Sequence, residues 1–238
     1  MVAANRDEYY DRPSSPPGLI RTDPAIIAGR DLRAGGTWLG VNENGLLAGV
    51  LNRRSVTNTA ANNEYRSRGL LCLETLEIRH ATDVCHWLHG VNATAYQPFT
   101  LISADKKSAC VAYNLNGGIE TMPLQPGLHV FSNTASFDGP SEKVTRIYEK
   151  FLQVSQAAAA IDGVAAYVQK ISRVLADHEL GDGPSDPREA ICVHGDVSGT
   201  VSSSIIFYSE NERQFQTYYC AGTPCRHQFV EYPHLSVR

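Results

Sequence analysis

The chain has 238 residues and a formal net charge of −4, with 21 basic and 25 acidic side chains. One domain is the usual outcome for this length, and no basic stripe indicates a nucleic-acid partner. No apolar run approaches the roughly 18 residues of a membrane span, so we predict one domain over residues 1–238 without an integral membrane segment.

The first part of the chain predicts short strands and then two helices. Pro fixes φ and Gly permits positive φ, so strings containing them mark the turns. Residues 37–41 and 46–51 are separated by a string that ends in Asn-Gly, which is typical of a hairpin. Ser67 is placed to cap a helix. A second short helix carries Val84, Trp87 and Leu88 at helical spacing.

The remaining elements alternate in blocks. Four short apolar runs imply an antiparallel meander, and two apolar stripes of helical period follow them, at residues 144–151 and 164–175. Strands, helices, strands, helices and strands in this order favour a layered α+β domain over a βαβ fold. The meander strands are predicted at residues 99–103, 109–113, 119–123 and 128–132, and the last strands at 191–194, 203–209 and 214–220.

A polar cluster, Asn-Arg-Asp-Glu at residues 5–8, directly follows the apolar residues 2–4. We expect a strand that ends in this cluster and carries it to the edge of a sheet. Two carboxylates flanking an arginine are costly to desolvate unless they pair or bind a ligand. A plain turn needs only one Asn or Asp, so we predict a functional role for the cluster.

Two asparagines stand at comparable positions. Asn52 and Asn133 each end a predicted strand, where an asparagine alone is commonly a turn former. Together with Asp7 they place three amide or carboxyl side chains at strand ends. Such a set suits an oxyanion site, in which preorganised donors meet developing negative charge.

Signatures of other activities are absent or weak. No phosphate-binding glycine loop and no GxSxG string occurs. Cys85 and His89 share one predicted helix face, a spacing that can hold a metal, but we favour satisfied histidines on a half-exposed helix. Cys225 and His227 could offer a thiolate or an imidazole to haem iron, although a frayed tail is the commoner structure. No metal site is predicted.

The six cysteines are scattered without a CxxC pair. Most lie in apolar runs, which is typical of reduced, buried thiols, and the start of the chain lacks the pattern of a signal peptide. We therefore expect an intracellular protein, cytoplasmic or, in a eukaryote, mitochondrial. The cysteines are Cys72, Cys85, Cys110, Cys192, Cys220 and Cys225.

These strings resemble the NRDE family, which is named for the string at residues 5–8 and includes transport and Golgi organisation protein 2. The resemblance spans nearly the whole chain, and the first string together with GGTWLG is specific. It is carried by residues 3–8, Arg12-Pro13, and residues 29–31, 35–40, 67–69, 130–133 and 199–200.

At greater distance the chain is similar to N-terminal-nucleophile (Ntn) hydrolases of the bile-salt and penicillin V amidase kind. Residues 42–52 resemble their NExGL…LN segment, and residues 131–138 resemble their TNSPTFD segment. Asn5 and Asp7 resemble the polar pair of their RNxD segment. The resemblance implies an αββα sandwich in which Asp7 orients the nucleophile while Asn52 and Asn133 steady the amine and the oxyanion.

The chain departs from that pattern at the nucleophile. In those hydrolases a cysteine exposed by removal of the initiator Met attacks an amide, with its own α-amine as base. Here no Cys follows Met1, no strand precedes Val2, and Val201 stands where relatives often have Arg. We therefore expect a sandwich without its first strand, less stable than a chain extended at its N-terminus, and no acyl transfer by this polypeptide.

The resemblance implies two alternative functions. The first is intracellular ligand handling in an Ntn-hydrolase-like pocket, with haem as a candidate cargo or with a role in acyl-CoA and lipid balance, and with no required cofactor. The second is an N-terminal-cysteine amidohydrolase of non-peptide amides whose nucleophile lies upstream of the assigned start. Arginines could meet propionate, phosphate or carboxylate groups, and Trp38 could stack on an apolar ligand. The ligand-binding residues predicted are Asn5, Arg6, Glu8, Arg12, Arg30 and Trp38.

Overall fold

The computed structural model describes residues 1–53, 65–115, 117–133, 141–157, 163–180 and 186–238. These residues form two antiparallel sheets and four α-helices. The helices are α1 (Arg68–Thr75), α2 (Ala81–Leu88), α3 (Glu142–Gln156) and α4 (Gly163–Leu175). The strands are β1 (Val2–Tyr9), β2 (Ser14–Thr22), β3 (Ala25–Asp31), β4 (Leu39–Asn42), β5 (Leu47–Asn52), β6 (Phe99–Ala104), β7 (Ala109–Leu115), β8 (Gly118–Pro123), β9 (Ser198–Ser209), β10 (Gln214–Cys220) and β11 (Val230–Ser236).

The two sheets differ in how their strands follow one another. The seven-stranded sheet runs in chain order from β2 to β8, so each strand pairs with its neighbour in sequence. The four-stranded sheet has the order β1-β9-β10-β11 and brings the two ends of the chain together. β1 lies at its edge and pairs with β9, with a bulge between Arg6 and Asp7.

The layers form an αββα sandwich, as the sequence predicts. Ile206 and Phe215 of the four-stranded sheet pack against Val41 and Leu47 of the seven-stranded sheet. α1 and α2 cover the outer face of the seven-stranded sheet, and α4 packs on the outer face of the four-stranded sheet through residues such as Ile171. Burial of these apolar faces drives the layering.

Most local predictions are confirmed. The hydroxyl of Ser67 accepts a hydrogen bond from the backbone N–H of Leu70 and caps α1. The predicted hairpin forms between β4 and β5, with Gly45 at a positive φ in the turn. The other three helices form at the predicted stripes. No helix in the described part of the chain is long and apolar enough to cross a membrane.

Two strand predictions are wrong, and one strand is not predicted. Residues 128–132 form no strand and are half-buried or exposed rather than paired in a sheet. Residues 191–194 contribute only one isolated bridge, from His194 to Gly199. Conversely, β11 is not predicted, since the last predicted strand ends at residue 220. Its Pro233 cannot donate to a ladder, and an edge strand such as β11 tolerates this loss.

Two further expectations change. The polar cluster lies within β1, which continues to Tyr9, rather than at the end of a strand. Cys85 of α2 and Cys110 of β7 form a disulfide, so the prediction of six reduced thiols is wrong for this pair. The helix packs across the strand and brings the two Cα atoms to 6.7 Å. This bond also removes Cys85 from the metal site considered with His89.

Candidate functional site

The polar cluster of β1 is divided between the two faces of its sheet. Successive side chains of a strand point to opposite faces. Asn5 and Asp7 face the layer that contains the end of α4, and Arg6 and Glu8 face the seven-stranded sheet. The four residues therefore belong to two different environments.

Asn5 joins β1 to the helical layer. Its Nδ2 donates to the carbonyl oxygens of Leu175 and Ile191, at 2.9 Å each, and its Oδ1 accepts from the hydroxyl of Ser203 at 2.6 Å. Both N–H groups of the amide thus bind backbone carbonyls of the helical layer, and its oxygen binds a side chain of β9. The structure therefore gives Asn5 a structural role, on the opposite sheet face from Arg6.

Asp7 is held by a hydroxyl of the neighbouring strand. Thr200 donates from Oγ1 to Asp7 Oδ1 at 2.6 Å, and the same Oγ1 accepts from the backbone N–H of Val193 at 2.8 Å. The bulge between Arg6 and Asp7 sets this register, because it leaves Asp7 opposite Thr200. The carboxylate is thereby fixed in one orientation, as an orienting group requires.

Arg6 lies between the two sheets. Its guanidinium carbon is 4.3 Å from the centre of the Trp38 ring, and Nη1 is 3.3 Å from Ser14 Oγ. Burial lowers the pKa of Arg6, and the carboxylates of Glu8 and Asp31 oppose this effect. A planar guanidinium over an aromatic face suits both charge and apolar contact.

Arg12 connects the cluster to β3. Its Nε and Nη2 donate to Oδ2 of Asp31 at 2.8 and 2.6 Å, and its Nη1 lies 3.5 Å from Glu8 Oε2. Glu8 Oε2 is in turn 3.9 Å from Arg6 Nη2. Burial alone raises the pKa of Asp31, but hydrogen bonds from Arg12 and from the backbone of residues 33 and 34 outweigh it, so the net pKa is lowered.

We expect Asp31→Asn to lower the free energy of unfolding by about 1–3 kcal/mol at pH 7, because the variant weakens a largely buried, charge-assisted pair. A carboxyl whose pKa is depressed by folding contributes stability above its unfolded pKa of about 3.9 and loses it as pH falls through the folded value. Urea unfolding at pH 7 and pH 3 should therefore show a smaller difference from wild type at pH 3.

Glu77→Gln is the matched control, because the pair Arg21–Glu77 is well exposed on both sides, at 40% and 39%. Its effect should stay below about 1 kcal/mol at both pH values. A destabilisation by Asp31→Asn that is the same at both pH values would show that the Asp31 charge does not stabilise the fold.

A cleft between the sheets begins beside Trp38. Its cavity volume is about 10 Å³, which is room for about one water molecule and far below the roughly 300 Å³ at which small-molecule sites start. Apolar side chains line it on both sheets, with one hydroxyl each from Ser204 of β9 and Thr217 of β10. The lining includes Ile27, Leu39, Ile206 and Thr217.

Of the residues predicted from the sequence, the structure brings together Arg6, Glu8, Arg12 and Trp38. Arg30 is exposed and precedes Asp31 in β3, so its side chain points to the opposite sheet face. Asn52 ends β5 with an exposed side chain, and Asn133 lies in irregular chain. The grouping of Asp7 with these two asparagines therefore stays a prediction.

Sequence reasoning missed four partners of the cluster. Asp31, Arg68 and Thr200 lie in strings that carry only the family resemblance. Burial lowers the pKa of Arg68, the charge of Arg12 adds to this effect and that of Glu8 opposes it, so Arg68 lies near both. Ser14 carries no recognisable signal as a single hydroxyl. A search for carboxylates that could neutralise Arg12 would have found Asp31.

Comparison with known proteins then identifies the family. The family model described as Transport and Golgi organisation 2 matches residues 1–220. The chain belongs to this Transport and Golgi organisation 2 family. The Transport and Golgi organization protein 2 homolog of Bos taurus is 28% identical over 228 residues, which are 87% of this chain and 80% of the relative. The homolog of Mus musculus is 27% identical over 233 residues, which are 89% and 82%.

Solved structures that resemble this member of the Transport and Golgi organisation 2 family have the Ntn-hydrolase fold. Penicillin V acylase from Agrobacterium tumefaciens superposes with a TM-score of 0.55 and 14% identity, covering 99% of this chain and 95% of the acylase. The Caenorhabditis elegans ortholog of N-acylethanolamine-hydrolyzing acid amidase gives a TM-score of 0.56 and 12% identity, covering 97% and 94%. Identities this low show the fold alone, and they confirm the fold predicted from the sequence.

Proposed function

We propose that this family member binds and carries an anionic small molecule with an apolar body, of the class of haem or an acyl-CoA, rather than converting it. The observation that carries the proposal is the contact between Arg6 and Trp38. This contact lies where the arginine cluster, formed by Arg6, Arg12 and Arg68, adjoins the cleft. A ligand seated there would place its anionic group at the arginines and its apolar part against the Trp38 ring at the edge of the cleft.

Charge supports the anionic group. Among the described residues around Glu8, three guanidiniums, those of Arg6, Arg12 and Arg68, stand against two carboxylates, those of Glu8 and Asp31. One positive charge is therefore left in excess. Arg12 is 28% exposed, so a carboxylate or phosphate can approach it from solvent and accept paired hydrogen bonds.

The cleft supports the apolar body. Its apolar lining adjoins the Trp38 ring, which can stack on a planar or aliphatic ligand. The cleft itself has a volume of about 10 Å³, so we expect the apolar part of the ligand to pack on Trp38 and the edge of the cleft and to remain largely in solvent unless the sheets separate. Binding of this kind needs no nucleophile and no bound metal in the cleft.

Titration of the purified chain with haemin and, separately, with palmitoyl-CoA tests the proposal. Haemin should give a shifted Soret band, or palmitoyl-CoA should raise Tm. A ligand at a hundred times its Kd adds about 2.7 kcal/mol, which corresponds to about 5–10 °C for a chain of this size. Arg6→Gln should weaken the binding about 10–100-fold, the value of one charge-assisted hydrogen bond.

Arg30→Gln is the matched control, because it removes one arginine on the opposite sheet face and should leave the affinity unchanged. Equal losses in both variants would indicate nonspecific attraction to positive charge. Absence of both the change in the haemin spectrum and the rise in Tm with palmitoyl-CoA would contradict the proposal. The cytoplasmic location expected from the sequence stays a prediction.

The alternative is an amidohydrolase, which the fold and the orientation of Asp7 favour. Each acylase-like neighbour is similar over nearly its whole length, and Asp7 is oriented by Thr200 as a positioning carboxylate would be. Incubation of the chain with penicillin V or an N-acylethanolamine separates the two functions. Turnover that is lost in Asp7→Asn would support hydrolysis, and binding without turnover supports carriage.

A further inference from the structure

Four metal-ligating side chains cluster on the helical side of the four-stranded sheet, away from the arginine cluster: ligand atoms of His178, His194 and Cys225 lie within 4.8 Å of one another, and Cys192 lies beside His194 and Cys225. Cys192 and His194 precede β9, Cys225 lies in the loop between β10 and β11, and His178 follows α4. Cys192 is buried, Cys225 and His194 are half-buried, and His178 is exposed. Three separate parts of the chain thus converge on one point.

The backbone holds these parts in place. Cys192 donates its N–H to the carbonyl oxygen of Asp177 at 2.7 Å, which places His178 beside it. Val193 and Thr200 exchange two hydrogen bonds, through the Thr200 hydroxyl and the Thr200 backbone N–H. Two N–H groups of the next turn donate to the carbonyl oxygen of Thr223 and orient Cys225. Backbone hydrogen bonds therefore hold the segments that carry the cluster in fixed positions.

The distances have the dimensions of a tetrahedral site. Sγ of Cys192 lies 3.8 Å from Sγ of Cys225, and His194 Nε2 lies 3.6 and 3.3 Å from these two sulfurs. With zinc bonds of about 2.3 Å to sulfur and 2.0–2.1 Å to nitrogen, a tetrahedral ion sets two sulfurs about 3.8 Å apart and a sulfur and a nitrogen about 3.5 Å apart. The three ligand atoms already match these values.

His178 is placed to be the fourth ligand. A ligand atom of its ring lies within 4.8 Å of those of His194 and Cys225, and the two imidazole rings are 5.7 Å apart, nearly perpendicular. Its Nδ1 faces the carbonyl oxygen of Ala176 at 3.3 Å, so Nε2 is the nitrogen that a small ring rotation would bring to the ion. Exposure of this side chain permits that rotation.

We propose that Cys192, His194, Cys225 and His178 form a binding site for Zn²⁺ or a similar thiophilic divalent ion. Two cysteines and two histidines are a ligand set of closed, structural zinc sites. Binding converts both thiols to thiolates and releases their two protons to solvent. The ion itself is neither oxidised nor reduced.

The site would connect the C-terminal loop to the segment that supports Asp7. Val193, between two of the ligands, donates to the hydroxyl of Thr200 that in turn donates to Asp7. A bound ion would therefore stabilise the fold and hold Asp7 in its orientation. The proposal is independent of the ligand carriage above, since none of the four side chains belongs to the arginine cluster.

Cobalt titration of the full chain, kept reduced and freed of metal by dialysis, tests the site. Co²⁺ should bind one ion per chain with the visible bands and the near-ultraviolet sulfur-to-metal band of a tetrahedral thiolate complex, and Zn²⁺ should displace it and raise Tm. Cys225→Ser should weaken binding about 100-fold or more, since even supporting residues of metal sites cost about 10–100-fold. His178→Ala should weaken it about tenfold.

His86→Ala is the matched control. His86 is exposed on α2, which covers the other sheet, so this variant should bind Co²⁺ like wild type. Three results overturn the proposal: no Co²⁺ spectrum in the reduced protein, equal affinity in wild type and Cys225→Ser, or equal affinity in wild type and His178→Ala. A disulfide between Cys192 and Cys225 in a protein that binds no Co²⁺ once reduced also overturns it.

The test uses variants of Cys225 and His178 and not of Cys192, because Cys192 is fully buried and its replacement can unfold the chain. Cys225 and His178 are more exposed, so their variants report on metal binding in a folded protein. Circular dichroism of each variant verifies the fold before titration. Haemin binding by Cys225→Ser with wild-type affinity, together with loss of Co²⁺, would leave the arginine-cluster proposal standing on its own.

Discussion

Gly36→Ala is expected to destabilise the chain by about 3 kcal/mol, at the high end for overpacking of a buried site. Gly36 is buried where the segment before β4 crosses the start of α1. A Cβ atom there would lie 2.5 Å from the carbonyl oxygen of Gly69 and closer still to other backbone atoms of Gly69 and Leu70. Backbone cannot rotate away as a side chain can, so the helix start must move.

The movement should also reach the arginine cluster. Thr37 donates its N–H to the carbonyl oxygen of Gly69 at 2.9 Å, and Arg68 is the neighbouring residue at the start of α1. Urea unfolding measures the loss of stability, and the haemin or palmitoyl-CoA titration measures the effect on binding. We expect both the stability and the affinity to fall.

Gly18→Ala is the matched control, because a Cβ at Gly18 would meet nothing within 4 Å and its φ is not positive. That variant should change the free energy of unfolding by no more than about 0.5 kcal/mol. If Gly36→Ala were as stable as Gly18→Ala, the two backbones could not approach each other as closely as the structure has them.

The sequence predicted those elements whose signals are local. Ser67 as a cap and the Asn-Gly hairpin turn depend on neighbours within a few residues, and both are confirmed. Residues 128–132 form an apolar run like that of β6 but pair with none of the described strands, so the hydrophobic pattern alone predicts a strand wrongly there. The opposite error occurs at β11, which is not predicted because it is rich in polar residues, and which forms because it pairs with the edge of β10.

The candidate site was predictable only in part, for a related reason. If the first strand is predicted to continue to Tyr9, the alternation of side chains places Asn5 and Asp7 on one sheet face and Arg6 and Glu8 on the other. The partners, however, depend on strand register. Thr200 lies opposite Asp7 because of a bulge in β1. Asp31 reaches Arg12 because the end of β3 pairs with the start of β2, directly after Arg12. The meeting of Cys192 with Cys225 likewise depends on loops of different strands, which no spacing in the sequence reports.

Asn42→Ala has the other large expected effect, a loss of about 3–5 kcal/mol in the free energy of unfolding. Asn42 is completely buried. Its Nδ2 donates to the carbonyl oxygens of Leu76 and Ile78 at 2.8 and 2.9 Å, and its Oδ1 accepts from the N–H groups of Asn44 and Leu46 at 3.0 Å each. Alanine removes the partner of all four groups, and each buried polar group left unsatisfied costs about 1–3 kcal/mol.

The loss should be confined to stability, because Asn42 joins the β4–β5 hairpin to the end of α1 on the side away from the arginine cluster. Chemical denaturation measures it, with Asn44→Ala as the control in the same turn. Asn44 is half-buried and keeps its backbone N–H bond to Asn42, so its replacement should cost about 0.5 kcal/mol or less. Equal costs at the two positions would mean that the turn, and not the buried amide, determines how the seven-stranded sheet is joined to its helical layer.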